Sequence, residues 1–322
     1  SIAFAFNRFP LLERAGIKSV IHGPFTFAPD GNPLVGPVPG LRNYWSACGV
    51  MAGFSQGGGV GLMLAQWMIE GECERDVTAM DVARFGNWAD KAFTKARVGD
   101  QYAKRFAIHF PNEEREAGRP VRTRPIHALQ QALGGVFGLN YGWEHVQWFA
   151  DAPGAKDTNG FTRQNWFEPV GRECRMLREN AGIIDISNFA KYRVRGPKAA
   201  DWLNAIFAND MPKAVGRSCL TLLIGVRGGI AGDFTVTRLA DDEFMVIGSG
   251  MAERYHQRFW NMVPMPEGMS FESLTEAMCG FNVAGPKSRE LLQRLTNTSL
   301  ATADFPFMRS QWIELAGVDC LA

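Results

Sequence analysis

The 322-residue chain has no long hydrophobic run and no excess of either charge. Its longest apolar stretch, residues 60–69, is about half the roughly 20 residues that a membrane-spanning helix needs. The 34 lysines and arginines balance 33 aspartates and glutamates, so the composition gives no support for a nucleic-acid-binding or a polybasic membrane-binding role. With 46% hydrophobic residues, the composition predicts an ordinary globular protein.

Paired cysteines are also missing. No Cys-x-x-Cys pair and no close Cys/His spacing occurs, so no metal site is predicted. We expect reduced thiols, and hence a bacterial cytoplasm or a mitochondrial matrix. The cysteines are Cys48, Cys73, Cys174, Cys219, Cys279 and Cys320.

The two ends of the chain predict further sequence on both sides. The first residue is Ser1 rather than methionine, and residues 312–322 read as a strand, a turn at Gly317 and a second strand that has barely begun. Because a lone hairpin is marginally stable, we expect an internal piece of a longer polypeptide.

The first half of the chain mixes short β-like runs with one apolar helix. Residues 19–21 and 44–47 predict strands, and residues 60–70 predict a helix after a Gly-rich turn, as at the end of an α/β or α+β unit. Residues 84–130 hold ten basic and five acidic residues. This segment is either an anion-facing surface or a helical connector whose charges face water.

The second half predicts an α+β domain with antiparallel strand pairs, after a boundary near residues 155–165. One helix is expected to close on Gly182, and two further helices are expected to begin at Gly196-Pro197 and Gly285-Pro286. The predicted helices are residues 168–182 and 198–207, and the predicted strands are residues 192–195, 220–224, 232–239, 243–247 and 281–284.

The Gly-rich segment at residues 52–59 leads into the apolar helix. Unpaired N–H groups and the positive end of the helix dipole favour an anionic ligand edge there, and glycines let such an edge come close. The alternative is simple close packing. The segment lacks Gly-x-Gly-x-x-Gly spacing, so it does not predict a pyrophosphate loop.

The Pro-Asp-Gly-Asn-Pro turn at residues 29–33, the strand after it and the Gly-rich segment together resemble a known family. They resemble the C-terminal end of the FAD domain in D-amino-acid-oxidase-like amine oxidoreductases, in the dimethylglycine and sarcosine dehydrogenase branch. Residues 105–122 and the Gly142-Trp143-Glu144 turn look like the central domain of that branch. The resemblance implies that the helix start faces N1 and O2 of the flavin. The implied flavin contacts are Met51, Ala52, Gly53, Phe54, Ser55 and Gln56.

Residues 166–322 resemble the N-terminal part of the folate-binding aminomethyltransferase of the glycine-cleavage T-protein type. The matching segments lie at residues 182–191, 194–203, 228–239 and 283–292. The resemblance implies that Asp233 is the catalytic acid beside the tetrahydrofolate nitrogen that receives the one-carbon unit. From the residues alone, Asp233 reads as a turn or pairing residue with Arg238 as its partner. The chain has Leu220 where folate-binding members usually have tyrosine, and Gly248 where many have asparagine.

These observations predict an α+β chain in three parts. They are the end of an FAD-dependent oxidoreductase domain (residues 1–85), a central connector domain (86–150) and the N-terminal part of a T-protein-like domain with an antiparallel sheet (160–322). The resemblance implies FAD, tetrahydrofolate, a small N-methylated amino-acid substrate, and oxygen or a flavoprotein as electron acceptor. The piece alone is expected to be inactive.

Two alternatives stay open. The last domain is a structural or regulatory module without folate, or the whole chain is a non-catalytic scaffold. We interpret Asp185, Ser187 and Lys191 as capping and packing residues, and the five histidines as structural.

Overall fold

The computed structural model describes residues 2–250 and 253–322. The first part of the chain is built on one short antiparallel hairpin and one long helix. Gly36 lies at φ +111°, and a Cβ there would come within 2.7 Å of the Trp67 ring, so glycine is what lets the hairpin pack on the helix. Trp67 is buried with Cys73 and Val77. The elements are α1 (Ile2–Arg8), β1 (Leu34–Pro37), β2 (Trp45–Cys48) and α2 (Gly53–Glu70).

Two predictions for this part were wrong. Residues 19–21 form no strand, because no described segment pairs with them and an unpaired β-run gains no ladder hydrogen bonds. Helix α2 begins at Gly53 rather than at residue 60, so the predicted glycine turn forms the first turns of the helix. The strand predicted at residues 44–47 is confirmed as β2, shifted by one residue.

The middle part has two helices and a hairpin, and its arginines turn inward. Arg115 is 7% exposed and donates to Asp100 at 3.1 Å, and Arg119 donates to Glu144 at 2.9 Å. The alternative of a connector whose charges face water is therefore wrong for these arginines, because their guanidinium groups are buried against carboxylates. The elements are α3 (Lys91–Ala103), α4 (His127–Ala132), β3 (Gly135–Asn140) and β4 (Trp143–Phe149).

The indole of Trp143, in the Gly-Trp-Glu turn, is packed. The side chain is 7% exposed, and the guanidinium carbons of Arg122 and Arg124 lie 3.7 and 3.5 Å from its ring centroid. The turn thus anchors the middle part by cation–π contacts.

The last part is an antiparallel five-stranded sheet with helices on one face, which confirms the α+β class. Tyr192, Val236 and Phe244 are completely buried against Trp202 and Trp260 of the two helices. The elements are β6 (Ala190–Arg195), α6 (Ala199–Ile206), β7 (Ser218–Ile224), β8 (Ile230–Ala240), β9 (Glu243–Gly248), α7 (Glu253–Trp260) and β10 (Ser270–Ser273). The order of the strands across the sheet is β10-β6-β9-β8-β7.

Smaller pairs flank this sheet. The helix predicted at residues 168–182 ends at Glu179, and Gly182 begins a strand instead of capping the helix, because that strand pairs with residues 281–284. The terminal hairpin with its turn at Gly317 is confirmed. These elements are α5 (Phe167–Glu179), β5 (Gly182–Asp185), β11 (Phe281–Ala284), α8 (Ser288–Gln293), β12 (Trp312–Leu315) and β13 (Val318–Leu321). No helix in the described residues is both long and apolar enough to span a bilayer.

Candidate functional site

The first turn of α2 presents backbone amides that the helix itself does not use. The amides of Ser55 and Gln56 donate to the Ala52 carbonyl at 3.0 and 2.9 Å, and the Ser55 hydroxyl donates to the same oxygen at 3.1 Å. The amides of Gly53 and Phe54 precede any possible helical acceptor. Together with the helix dipole, they form a positive patch of backbone donors.

The space in front of this turn is open among the described residues. An added Cβ at Gly53, Gly57 or Gly58 would have no atom within 4 Å. The Phe54 side chain is fully exposed. A flat ring edge with acceptor atoms can therefore reach the Gly53 and Phe54 amides directly. Residues 51–56, which are predicted to contact flavin, form one continuous segment at this end of the helix.

Asp233 lies near the start of β8, opposite Leu222 of β7, and its side chain is exposed. Among the described residues its carboxylate accepts no hydrogen bond. Arg238 is not its partner, which corrects the interpretation made from the residues alone. Arg238 donates to the carbonyls of Lys213 and Asp241 at 2.8 and 2.6 Å. Residues five apart on a strand point to opposite faces, which keeps the two side chains apart.

The two departures from the family pattern lie on opposite faces of the sheet. Leu220 pairs with Thr235, two residues from Asp233, so its exposed side chain shares the face of Asp233. Gly248 pairs with Phe234 on the buried face, and a Cβ there would come within 2.4 Å of the Phe234 ring. The ring of Phe234 therefore occupies the space that an asparagine side chain at position 248 would need.

His256 of α7 lies beneath the start of β8. A Cβ at Gly232 would come within 2.6 Å of its Nε2, and its ring packs edge-to-face on Phe234 with centroids 4.6 Å apart. Burial lowers the pKa of His256 to about 4, against the opposing effects of the Ala231 backbone and the Asp233 charge. A neutral imidazole therefore supports the strand that carries Asp233. The sequence identified His256 only as structural, and nothing in its spacing places it here.

The three residues interpreted from the sequence as capping and packing residues lie together at the turn between β5 and β6. The ammonium group of Lys191 donates to the carbonyls of Ser187 and Phe189 at 3.0 and 2.9 Å. Asp185 accepts from the Ser187 amide at 2.9 Å. No helix begins at these residues, so the packing interpretation is confirmed and the helix-capping interpretation was wrong. Burial, followed by the charge of Arg124, lowers the pKa of Lys191 to about 8.

The first turn of α2 and Asp233 lie far apart in the structure. The C-terminal end of α2 touches the β7–β8 turn, where the Arg227 amide donates to Glu72 at 3.1 Å. The 18 residues of α2 extend about 27 Å, so its first turn lies at the far end from this contact. The structure therefore does not join the two predicted sites into one.

No cluster of three or more His, Cys, Asp or Glu side chains suited to a metal ion occurs within residues 2–250 and 253–322.

Matches to two family models define the last part of this α+β chain as an aminomethyltransferase-like sheet domain, preceded by a segment of the FAD-dependent oxidoreductase type. The GCVT N-terminal domain model matches residues 126–322, and the chain belongs to that family. The FAD dependent oxidoreductase central domain model matches residues 70–123.

Three curated relatives extend the comparison over nearly the whole chain. Mouse mitochondrial dimethylglycine dehydrogenase is 34% identical over 99% of this chain, and human mitochondrial sarcosine dehydrogenase is 30% identical over 97%. The mouse mitochondrial pyruvate dehydrogenase phosphatase regulatory subunit is 28% identical over 93%. The chain spans 37%, 39% and 35% of the length of these three relatives, respectively.

Proposed function

We propose that this chain serves an FAD-dependent oxidoreductase that removes N-methyl groups from dimethylglycine or sarcosine. The observation that carries this is the open pair of amides at Gly53 and Phe54, in a chain similar throughout to dimethylglycine dehydrogenase. We keep the proposed division into residues 1–85, 86–150 and 160–322.

Flavin, when bound, supplies the hydride acceptor for the N-methyl carbon. The chain's own contribution is electrostatic. The amides of Gly53 and Phe54 and the α2 dipole stabilise negative charge at the ring edge that faces them. Met51 and Ala52 lead the chain into that turn, and the Ser55 hydroxyl donates a hydrogen bond to the Ala52 carbonyl. Gln56 completes the proposed contact segment. Electrons then pass to oxygen or to a flavoprotein partner.

A proline substitution at Gly53 tests the flavin site. Gly53 is the first helical residue, where proline is compatible with a helix but removes the N–H. We expect Gly53→Pro to lower the flavin content of the purified protein at least tenfold. Gly53→Ala keeps the N–H and is expected to retain flavin. Equal flavin content in the two variants would contradict the proposal, and circular dichroism checks that α2 persists.

We propose further that the one-carbon unit passes to tetrahydrofolate beside Asp233. Support comes from the family match and from the exposed carboxylate, which is free to hold and relay the proton of a ring nitrogen. A tetrahydrofolate titration by calorimetry tests this. We expect Asp233→Ala to weaken binding at least tenfold, whereas Asp241→Ala, whose side chain is 97% exposed on the β8–β9 turn, leaves binding unchanged.

The second candidate function is a structural or regulatory module that does not bind folate. Two observations favour it: the leucine at position 220 on the face of Asp233, and the similarity to a phosphatase regulatory subunit. Absence of tetrahydrofolate binding in the same titration, in protein that retains flavin, would select this candidate. For either function we propose a reducing compartment, the bacterial cytoplasm or the mitochondrial matrix.

A further inference from the structure

A cavity of about 750 Å³ lies where the three parts of the chain meet, and we call it the seam cavity. Its walls come from the segment before α3, from the β3–β4 turn and from α7. It includes neither the first turn of α2 nor Asp233. Its volume is that of a small-molecule site.

One arginine of the seam cavity has hydrogen-bond donors that no described residue uses. Arg84 is fully engaged, with Asp30 at 2.7 and 2.9 Å, and Arg122 is ion-paired with Glu276. Arg254, in contrast, has a single described contact, to the Asn87 side chain at 3.4 Å. That distance makes a weak hydrogen bond, so the guanidinium fork of Arg254 remains available for a carboxylate.

The same cavity holds carboxylate oxygens that can face a cation. Oε1 of Glu253 accepts from Ser273 and Thr275 at 2.6 and 2.9 Å, whereas its Oε2 has no donor among the described residues. The pKa of Arg122 is lowered by burial, with Glu276 and Glu253 opposing that change and Arg254 adding to it. Charges of both signs therefore act on one another across this cavity.

An aromatic wall completes the lining. The Trp88 indole is seated on two glycines: a Cβ at Gly142 or at Gly86 would come within 2.5 or 2.9 Å of the ring. Phe93 packs against the indole with centroids 5.2 Å apart. Tyr141 also lines the cavity, and burial raises the pKa of its phenol, so it is a neutral donor. Rings held in this way attract alkylammonium groups.

We propose that the seam cavity binds a small amino-acid zwitterion of the glycine type. Its carboxylate is held by Arg254, and its ammonium lies between Glu253 Oε2 and the rings of Trp88 and Tyr141. The paired signs of charge match a zwitterion better than a dianion or a simple amine. The choice of dimethylglycine as the probe rests on the proposed function, whereas the zwitterion site itself does not.

Calorimetric titration of the purified full chain with dimethylglycine, without added flavin, tests this inference. Two probes of similar shape serve as ligand controls: 3-methylbutanoate lacks the cationic nitrogen, and dimethylethanolamine lacks the carboxylate. We expect both to bind at least tenfold more weakly than dimethylglycine. If 3-methylbutanoate bound as tightly as dimethylglycine, the cavity would be a site for anions in general, and the proposal would be overturned.

Variants then locate the binding. We expect Arg254→Gln to weaken dimethylglycine binding at least tenfold, Arg254→Lys to retain part of it, and Glu253→Gln to weaken it several-fold. Arg178→Gln, on the exposed end of α5, is the matched control and is expected to change nothing. No binding by wild type, or unchanged binding by Arg254→Gln, would refute the site. Because this titration measures binding and not oxidation, failure of the proposed oxidoreductase function would not alter it.

Discussion

The guanidinium of Arg258 donates to both carboxylate oxygens of Asp81, which joins helix α7 to the segment that follows α2. Asp81 is 2% exposed. Arg258 also donates to the Pro37 carbonyl at 3.0 Å, and its guanidinium lies 4.9 Å from the Trp67 ring centroid. One side chain of the last part thus contacts the β1–β2 hairpin, helix α2 and Asp81 of the first part.

Breaking this pair is expected to destabilise the protein strongly. Arg258→Met leaves the Asp81 carboxylate buried without its cation, which costs about 3 to 5 kcal/mol in comparable pairs. Urea denaturation of both proteins measures this loss in the free energy of unfolding. Asp81→Asn keeps an acceptor for the Ala83 amide, now 2.7 Å away. The double variant is therefore expected to lose less than the sum of the two single variants, and strict additivity would contradict a direct coupling.

Alanine in the glycine-rich turns of α2 is expected to stabilise the chain. Gly58 and Gly61 lie inside the helix, and an added Cβ at either meets no atom within 4 Å. Each substitution by alanine should raise the free energy of unfolding by up to about 1 kcal/mol, because glycine loses more backbone entropy on folding. Chemical denaturation checks this. A loss of stability at either site would mean that another segment packs there.

Any side chain at position 248 is expected to destabilise the sheet. Gly248→Ala would bring a Cβ within 2.4 Å of the Phe234 ring, which must then leave its place in the core. Overpacking of this kind costs about 1 to 3 kcal/mol. Phe234→Leu in the same chain should restore part of the loss. Gly229→Ala, where nothing lies within 4 Å, is the control and should be close to neutral. Equal effects at both glycines would refute the clash.

Acid is expected to unfold the protein in part through His256. Its pKa is about 4 in the folded chain and about 6.5 when unfolded, so the unfolded state binds the proton first. The contribution of His256 to stability is complete above pH 6.5 and is lost as the pH falls from 6.5 to 4, by about 1.4 kcal/mol per pH unit. Unfolding free energies across this range should show a weaker slope in His256→Gln. An unchanged slope would mean that a group other than His256 titrates in this pH range.

Local signals in the sequence determined much of the last part. Alternating apolar residues placed β7, β8 and β9 to within a few residues, and the two Gly-Pro pairs preceded α6 and α8 as expected. Helix α2 was identified but its start was misplaced, because glycine carries no periodic signal and has a low intrinsic helix propensity. The flavin and folate residues came from a resemblance and remain proposals.

Burial and partner choice were decided by tertiary structure alone. Periodicity cannot show that Arg115 turns inward, that Arg238 avoids Asp233, or that Arg254 keeps free donors in the seam cavity. Those outcomes depend on which residues, distant in the sequence, pack against each side chain. A charge is stabilised only by groups within a few ångströms of it. The sequence determined the apolar helix and the main strands of the last part; packing determined which charges are paired and which remain free to bind a ligand.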